Sequence, residues 1–170
     1  MPSFTEIKTS FTSIFKNNRD VNCLKDGTDI KWEDTTEFIF PITGGRVIKC
    51  YDADTITIAS KMPYNDSPIY RFSVRLNGID TPEIKGKDVT PDEKQAASDA
   101  RDFVSNLILN KYVRLEKVEN EKYGRILADV YINDINLNEL LIKERYAVKY
   151  DGGTKIKPKS WLKYKLTDEL

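Results

Sequence analysis

Hydrophobic and polar positions alternate with period two over several short runs. Phe72, Val74 and Leu76 alternate with Arg71, Ser73, Arg75 and Asn77, which predicts a half-buried strand with Arg75 on its polar face. The β-branched run Thr55-Ile56-Thr57-Ile58 predicts a second strand, and Val113 to Val118 a third. Ile126, Ala128, Val130 and Ile132 alternate with Leu127, Asp129 and Tyr131 and predict a fourth. Strand character from Phe38 to Tyr51 is broken by Pro41 and by Gly44-Gly45. Two stretches change to helical spacing. Thr90-Pro91-Asp92-Glu93 joins an N-cap, a proline at the first helical position and an early acid. From there Ala96, Ala100, Phe103, Val104, Leu107 and Ile108 mark one face of a helix running to about Leu109. Asn136-Leu137-Asn138-Glu139 opens a second helix, to about Arg145, on Leu137, Leu140 and Leu141.

Turn chemistry separates these elements. Met62 to Pro68 predicts a hairpin-type loop, and Gly78 a bend at the end of the central strand. Pro82 ends that strand, so Asp80 and Glu83 fall just past it. Ile84 to Thr90 predicts a mobile loop, and Glu119-Asn120-Glu121 a turn leading to a basic, aromatic hairpin tip, Lys122-Tyr123-Gly124-Arg125. Ala147 to Tyr150 is extended, and Asp151-Gly152-Gly153 turns. The order is about three strands, a helix, two strands and a helix. That order predicts an α+β, mainly β chain folded as a small closed barrel of the OB type, whose face commonly binds nucleic acid.

Residues 1–40 are expected to form an N-terminal extension to a domain over 41–165. Phe4, Ile7, Phe11, Ile14 and Phe15 lie on one helical stripe. They predict a short amphipathic helix that docks on the domain or on a protein partner.

Charge modifies this picture locally. Lys plus Arg and Asp plus Glu balance at 27 each. From Lys143 to Lys165, however, eight Lys/Arg face Glu144 and Asp151 alone. This stretch is either a solvated tail or a surface that tracks phosphates. Cys23 and Cys50 form neither a disulfide framework nor a metal site, and free thiols in a reducing compartment are expected. No apolar run reaches membrane length and no secretory leader is visible, so an intracellular location is expected.

The chain has no histidine. Acid-base work therefore falls to carboxylates, Lys, Tyr or metal-bound water. Any metal would take mostly oxygen ligands, which suits Ca²⁺, Mg²⁺ or Mn²⁺. In extended backbone Asp52 and Asp54 share parity with Ile56 and Ile58 and face the core at its open mouth. There they repel each other unless a cation sits between them; otherwise the run is an acidic turn before a strand. Asp54 and Asp80, joined by the Thr81 carbonyl, suit a hard divalent cation. Glu83, three residues on, suits a general base that holds a water. Arg75 and Arg125 suit a guanidinium clamp on phosphoryl oxygens.

Asp52-Ala53-Asp54-Thr55, Arg75 through Asp80-Thr81-Pro82-Glu83, and Lys122-Tyr123-Gly124-Arg125 occur in this order. With them, about residues 44–161 resemble the staphylococcal nuclease (thermonuclease) family. The resemblance implies a five-stranded OB-fold barrel with two or three packed helices. It implies a Ca²⁺-dependent nuclease cutting DNA and RNA, with 3′-phosphate and 5′-hydroxyl ends. Asp54, Asp80 and Thr81 match the family's calcium ligands, and Asp52 a supporting acid. Glu83 matches the base, and Arg75 and Arg125 the catalytic arginines. Lys122 and Tyr123 match contacts to substrate phosphate, and Tyr150 a tyrosine that packs on the nucleotide base. The chain departs from the family in its short, proline-interrupted end after Gly153, its first 40 residues and its neutral charge. A second reading, a non-catalytic OB module that binds nucleic acid or a peptide, lacks a use for the intact carboxylates.

Overall fold

The computed structural model describes residues 28–167. The predicted helix over Phe4 to Phe15 and the thiol of Cys23 lie outside the described residues. The chain divides into two units, Met1–Glu37 and Phe38–Leu170. In the first, a 3-10 turn at Trp32–Asp34 is closed by the Lys31 backbone N–H donating to Asp34 Oδ2 (3.0 Å).

The second unit is a closed five-stranded barrel carrying three helices. Strands β1 (Gly44–Cys50), β2 (Thr55–Lys61) and β3 (Ile69–Leu76) form an antiparallel meander. After the two-residue strand β4 (Ile79–Asp80) and helix α1 (Pro91–Ile108) come β5 (Tyr112–Asn120) and β6 (Ile126–Ile132). β5 pairs with both β1 and β6. Parallel pairing of β3 with β6, Val74 opposite Ile126 and Leu76 opposite Ala128, closes the barrel. Closure removes the exposed sheet edges that an open meander would leave.

The alternation in the sequence is the inside-outside alternation of this barrel. Ile56, Ile58, Val74, Leu76, Ile126, Ala128 and Val130 are essentially inaccessible. Phe40 packs edge-on against Phe72 within this unit.

Gly44 and Gly45 do not interrupt β1; they begin it. A Cβ on Gly44 would stand 2.3 Å from the Val113 carbonyl oxygen, and one on Gly45 2.6 Å from that of Ala59. Glycine is required there by the close approach of the neighbouring strands.

Helix α1 starts as predicted, with Thr90 Oγ1 accepting from the Glu93 N–H (3.2 Å). It seats Ala100, Val104 and Ile108 in the core, and Ala97 joins the buried face. Two-residue β7 (Ile135–Asn136) leads into α2 (Leu137–Lys143), which stops before the expected Arg145. Its buried Asn138 accepts from the Val130 N–H (3.0 Å) and donates to the Asn77 carbonyl (2.8 Å). One amide thus ties α2 to the turn between β3 and β4.

Two-residue β8 (Val148–Lys149) pairs with β4. The end after Gly153 forms one short helix, α3 (Trp161–Thr167), in place of a long one. Trp161 and Tyr164 bury themselves with Ala96 and Val148. Among the described residues no helix is long and apolar enough to cross a membrane.

Candidate active site

The mouth of the barrel is built where β2 begins and β3 ends. Residues 51–54 are bent instead of extended, with the Tyr51 N–H bonded to the Thr55 carbonyl (2.9 Å). Asp54 is nevertheless buried, because its own carbonyl accepts the Leu76 N–H (2.8 Å) and pins the bend to β3. Its Oδ1 accepts from Thr55 Oγ1 (2.9 Å), and its Oδ2 meets Arg75 Nη1 at 2.7 Å. Thr55 pairs with Arg75 across the β2–β3 ladder, so strand register itself delivers the guanidinium.

Past β3, the Asn77-Gly78 turn is left-handed at Gly78 (φ 74°) and reverses the chain into β4. Asp80 lies within β4, 1% exposed. Its Oδ1 is 3.6 Å from Arg75 Nη2 and 2.7 Å from Lys155 Nζ. Its Oδ2 is buried with no hydrogen-bond partner among the described residues. Thr81 is buried beside it. Asp52 Oδ1 is likewise buried and unpartnered. Burial, followed by the negative charge of Asp54, pushes the Asp52 carboxyl up to about 7.

Glu83 is more open. Its Oε1 lies 3.1 Å from Lys155 Nζ, and its N–H donates to Glu93 Oε1 (3.2 Å) in the first turn of α1. Arg125, at the foot of the β5–β6 hairpin, is gripped by Glu121 through Nε–Oε2 (2.9 Å) and Nη2–Oε1 (3.0 Å). Bonding to Arg125 lowers the Glu121 carboxyl below its ordinary value, and the same bond raises Arg125. The hairpin turn spans Glu121 to Gly124, since β5 runs on to Asn120.

One cleft of about 400 Å³ gathers Asp52, Asp54, Arg75, Thr81, Glu83, Arg125, Tyr150 and Lys155. All the catalytic and acidic residues expected from sequence thus meet in one place, with Asp80 reaching it through Lys155. Tyr150 is placed by its N–H on the Gly78 carbonyl (3.0 Å) and by its hydroxyl on that of Gly153 (3.2 Å). Lys122 and Tyr123 stand apart: Tyr123 is 83% exposed at the hairpin tip, and Lys122 lines an adjoining cleft with Arg75 and Tyr150.

Three contributors lie outside the three site motifs. Lys155 contacts Asp80 and Glu83. Burial opposes its charge, but the bonds to Asp80 and Glu83 prevail and raise its pKa. Glu121 binds Arg125, and Glu93, itself paired with Lys157 (3.1 Å), positions Glu83. The basic stretch after Lys143 was the available signal for the two lysines, and part of it folds back onto acids instead of remaining solvated.

The donors suit a hard divalent cation. They are carboxylate oxygens, two of them buried without a partner. Among the described residues no three acidic, Cys or His side chains already converge as a cage. Arg75 and Lys155 neutralise the acids instead.

The family described as staphylococcal nuclease homologue matches residues 73–165, more than half the chain. A thermonuclease of Staphylococcus hyicus is 36% identical over 104 residues, 60% of this chain and 56% of that protein. An uncharacterized endonuclease of Haemophilus influenzae is 35% identical over 106 residues, covering 62% of this chain and 51% of its own length. One from Escherichia coli is 28% identical over 108 residues, 63% and 61% respectively. The chain spans less than two thirds of the length of these relatives. The family match runs from within β3 into α3 and takes in Arg75, Asp80, Glu83, Arg125, Tyr150 and Lys155, and on it the chain belongs to the staphylococcal nuclease homologues.

Proposed function

We propose that the chain is a metal-dependent phosphodiesterase that hydrolyses DNA or RNA, leaving 3′-phosphate and 5′-hydroxyl ends. The observation that carries this reading is the meeting of Arg75, Arg125 and Glu83 with Asp52 and Asp54 in one solvent-open cleft. The relatives named for thermonuclease and endonuclease activity support it.

Asp54 and Asp80, with the Thr81 carbonyl and Asp52 in support, would hold Ca²⁺, and Mg²⁺ or Mn²⁺ meet the same donors. When bound, the ion supplies positive charge and Lewis acidity to a phosphoryl oxygen. Glu83 accepts a proton from the water that attacks phosphorus, the bond to the 5′ oxygen breaks, and that oxygen takes a proton from solvent water in the open cleft and leaves as a hydroxyl. Arg75 and Arg125 neutralise charge on the remaining phosphoryl oxygens, which a planar guanidinium does bidentately. Arg125 can turn to a phosphate because Glu121 holds it at the partly exposed rim. Lys122 and Tyr123 at the tip meet flanking phosphates, and Tyr150 offers its ring to a base.

Cleavage of single-stranded DNA by the purified chain, with Ca²⁺ and with chelator, tests this. The Glu83→Gln variant is expected to lose about 10²–10⁴ in rate. Binding of DNA without cleavage under Ca²⁺, Mg²⁺ or Mn²⁺ would assign the chain instead to non-catalytic OB modules.

A further inference from the structure

Lys155 has no place in the chemistry just described, yet it makes the shortest contact to Asp80. Its Nζ bridges Asp80 Oδ1 (2.7 Å) and Glu83 Oε1 (3.1 Å) and lies 5.9 Å from the centre of the Tyr150 ring. One ammonium therefore touches both a carboxylate assigned to the cation and the carboxylate assigned to the water.

The two cations on Asp80 are held very differently. Arg75 is fixed in β3, paired with Thr55 across the ladder, and bonds Ile79 through its Nη2 (3.4 Å). Lys155 lies in the segment between β8 and α3, where residues 150–160 adopt neither helix nor strand. Its side chain is 38% exposed. Its stem has four rotatable carbons, so the ammonium can leave without disturbing the barrel. Asp80, in contrast, cannot move to solvent: it is 1% exposed and pinned in β4 opposite Val148. A buried carboxylate needs a counter-charge at all times. Lys155 supplies the nearer one at 2.7 Å, with Arg75 farther off at 3.6 Å.

We propose that Lys155 is a tethered counter-cation that competes with the divalent ion for Asp80 and covers Glu83 until the ion binds. This rests on the reading of Asp54 and Asp80 as a cation site. Two positive groups on one carboxylate repel, so occupancy by one weakens the other by the same factor. Loading the ion frees the Lys155 ammonium and uncovers Glu83 in the same step. Lys155 thus sets the cation concentration at which the site fills, and it links the availability of the base to the presence of the ion.

Calorimetric titration of Ca²⁺ into the parent chain, Lys155→Met and Lys155→Arg, at one ionic strength, tests the competition without reference to cleavage. Lys155→Met is expected to bind Ca²⁺ at least about tenfold more tightly, whereas Lys155→Arg keeps the competing charge and stays close to the parent. Thermal melting gives the second readout. Without metal, Lys155→Met should melt below the parent because Asp80 has lost its ammonium, and Ca²⁺ should raise its Tm more than that of the parent. Equal Ca²⁺ affinity in all three proteins would overturn the competition and leave the cation site standing. Failure of all three to take up Ca²⁺, Mg²⁺ or Mn²⁺ at millimolar concentration would overturn the cation site, and the competition with it.

Discussion

The barrel mouth and the hairpin tip each present a guanidinium to the same cleft, and they do so in opposite ways. Arg75 projects from a central strand, is mostly buried, and touches two buried carboxylates, Asp54 and Asp80. Arg125 projects from the foot of a two-stranded tip, is more exposed, and pairs with one carboxylate, Glu121, that is less buried than Asp54 or Asp80. The first is part of what keeps the mouth folded. The second is held locally and can be redirected. The same residue type can thus carry a structural obligation at one wall of a site and little at the other, depending on what its removal leaves behind.

Replacing the two arginines separates these roles. Arg75→Ala is expected to lose about 10²–10³ in cleavage rate. It should also cost about 3 kcal/mol of stability, because Asp54 and Asp80 are left buried without it. Activity assays and urea melts read the two effects. Arg125→Ala is expected to show a similar loss of rate with less than about 1 kcal/mol of stability, since Glu121 simply rehydrates. Equal destabilisation by the two variants would erase the distinction between mouth and tip.

A smaller effect follows from pH. Bonding to Arg125 holds the Glu121 carboxyl below its ordinary 4.5. A carboxyl lowered on folding adds stability above its unfolded value and loses it as pH falls through its folded one. Urea midpoints of the parent and Glu121→Gln should therefore differ at pH 7 and converge at acid pH below 4.5, the gap being under about 1 kcal/mol. The smallest effect is at the tip itself. Tyr123→Ala should leave stability within about 0.5 kcal/mol, as for an exposed side chain, and raise KM for single-stranded DNA while kcat stays near the parent value.

Local pattern carried much of this molecule. Period two over Phe72 to Leu76 and over Ile126 to Ile132 reported which side chains face inward, because a strand has only two faces. Thr90-Pro91-Asp92-Glu93 located the start of α1, because a cap needs only its own next three residues. Asp54 was placed on the correct side by parity with Ile56, although the backbone there bends. The parity survived since the bend is pinned by Leu76 across the sheet.

What the sequence determined by itself was the inside and outside of each strand, the helix starts, and the roster of carboxylates and guanidiniums available in a chain without histidine. Those properties depend on neighbours a few residues away. The tertiary structure decided which charges meet. Lys155 reaches Asp80 from 75 positions along the chain, and Asn138 reaches the Asn77 carbonyl from 61. It also decided that Gly44 and Gly45 belong inside a strand, because the crowding comes from β5 and β2. No periodicity encodes such contacts. They follow from barrel closure and from the last segment folding back over the mouth, where buried carboxylates require a nearby positive charge.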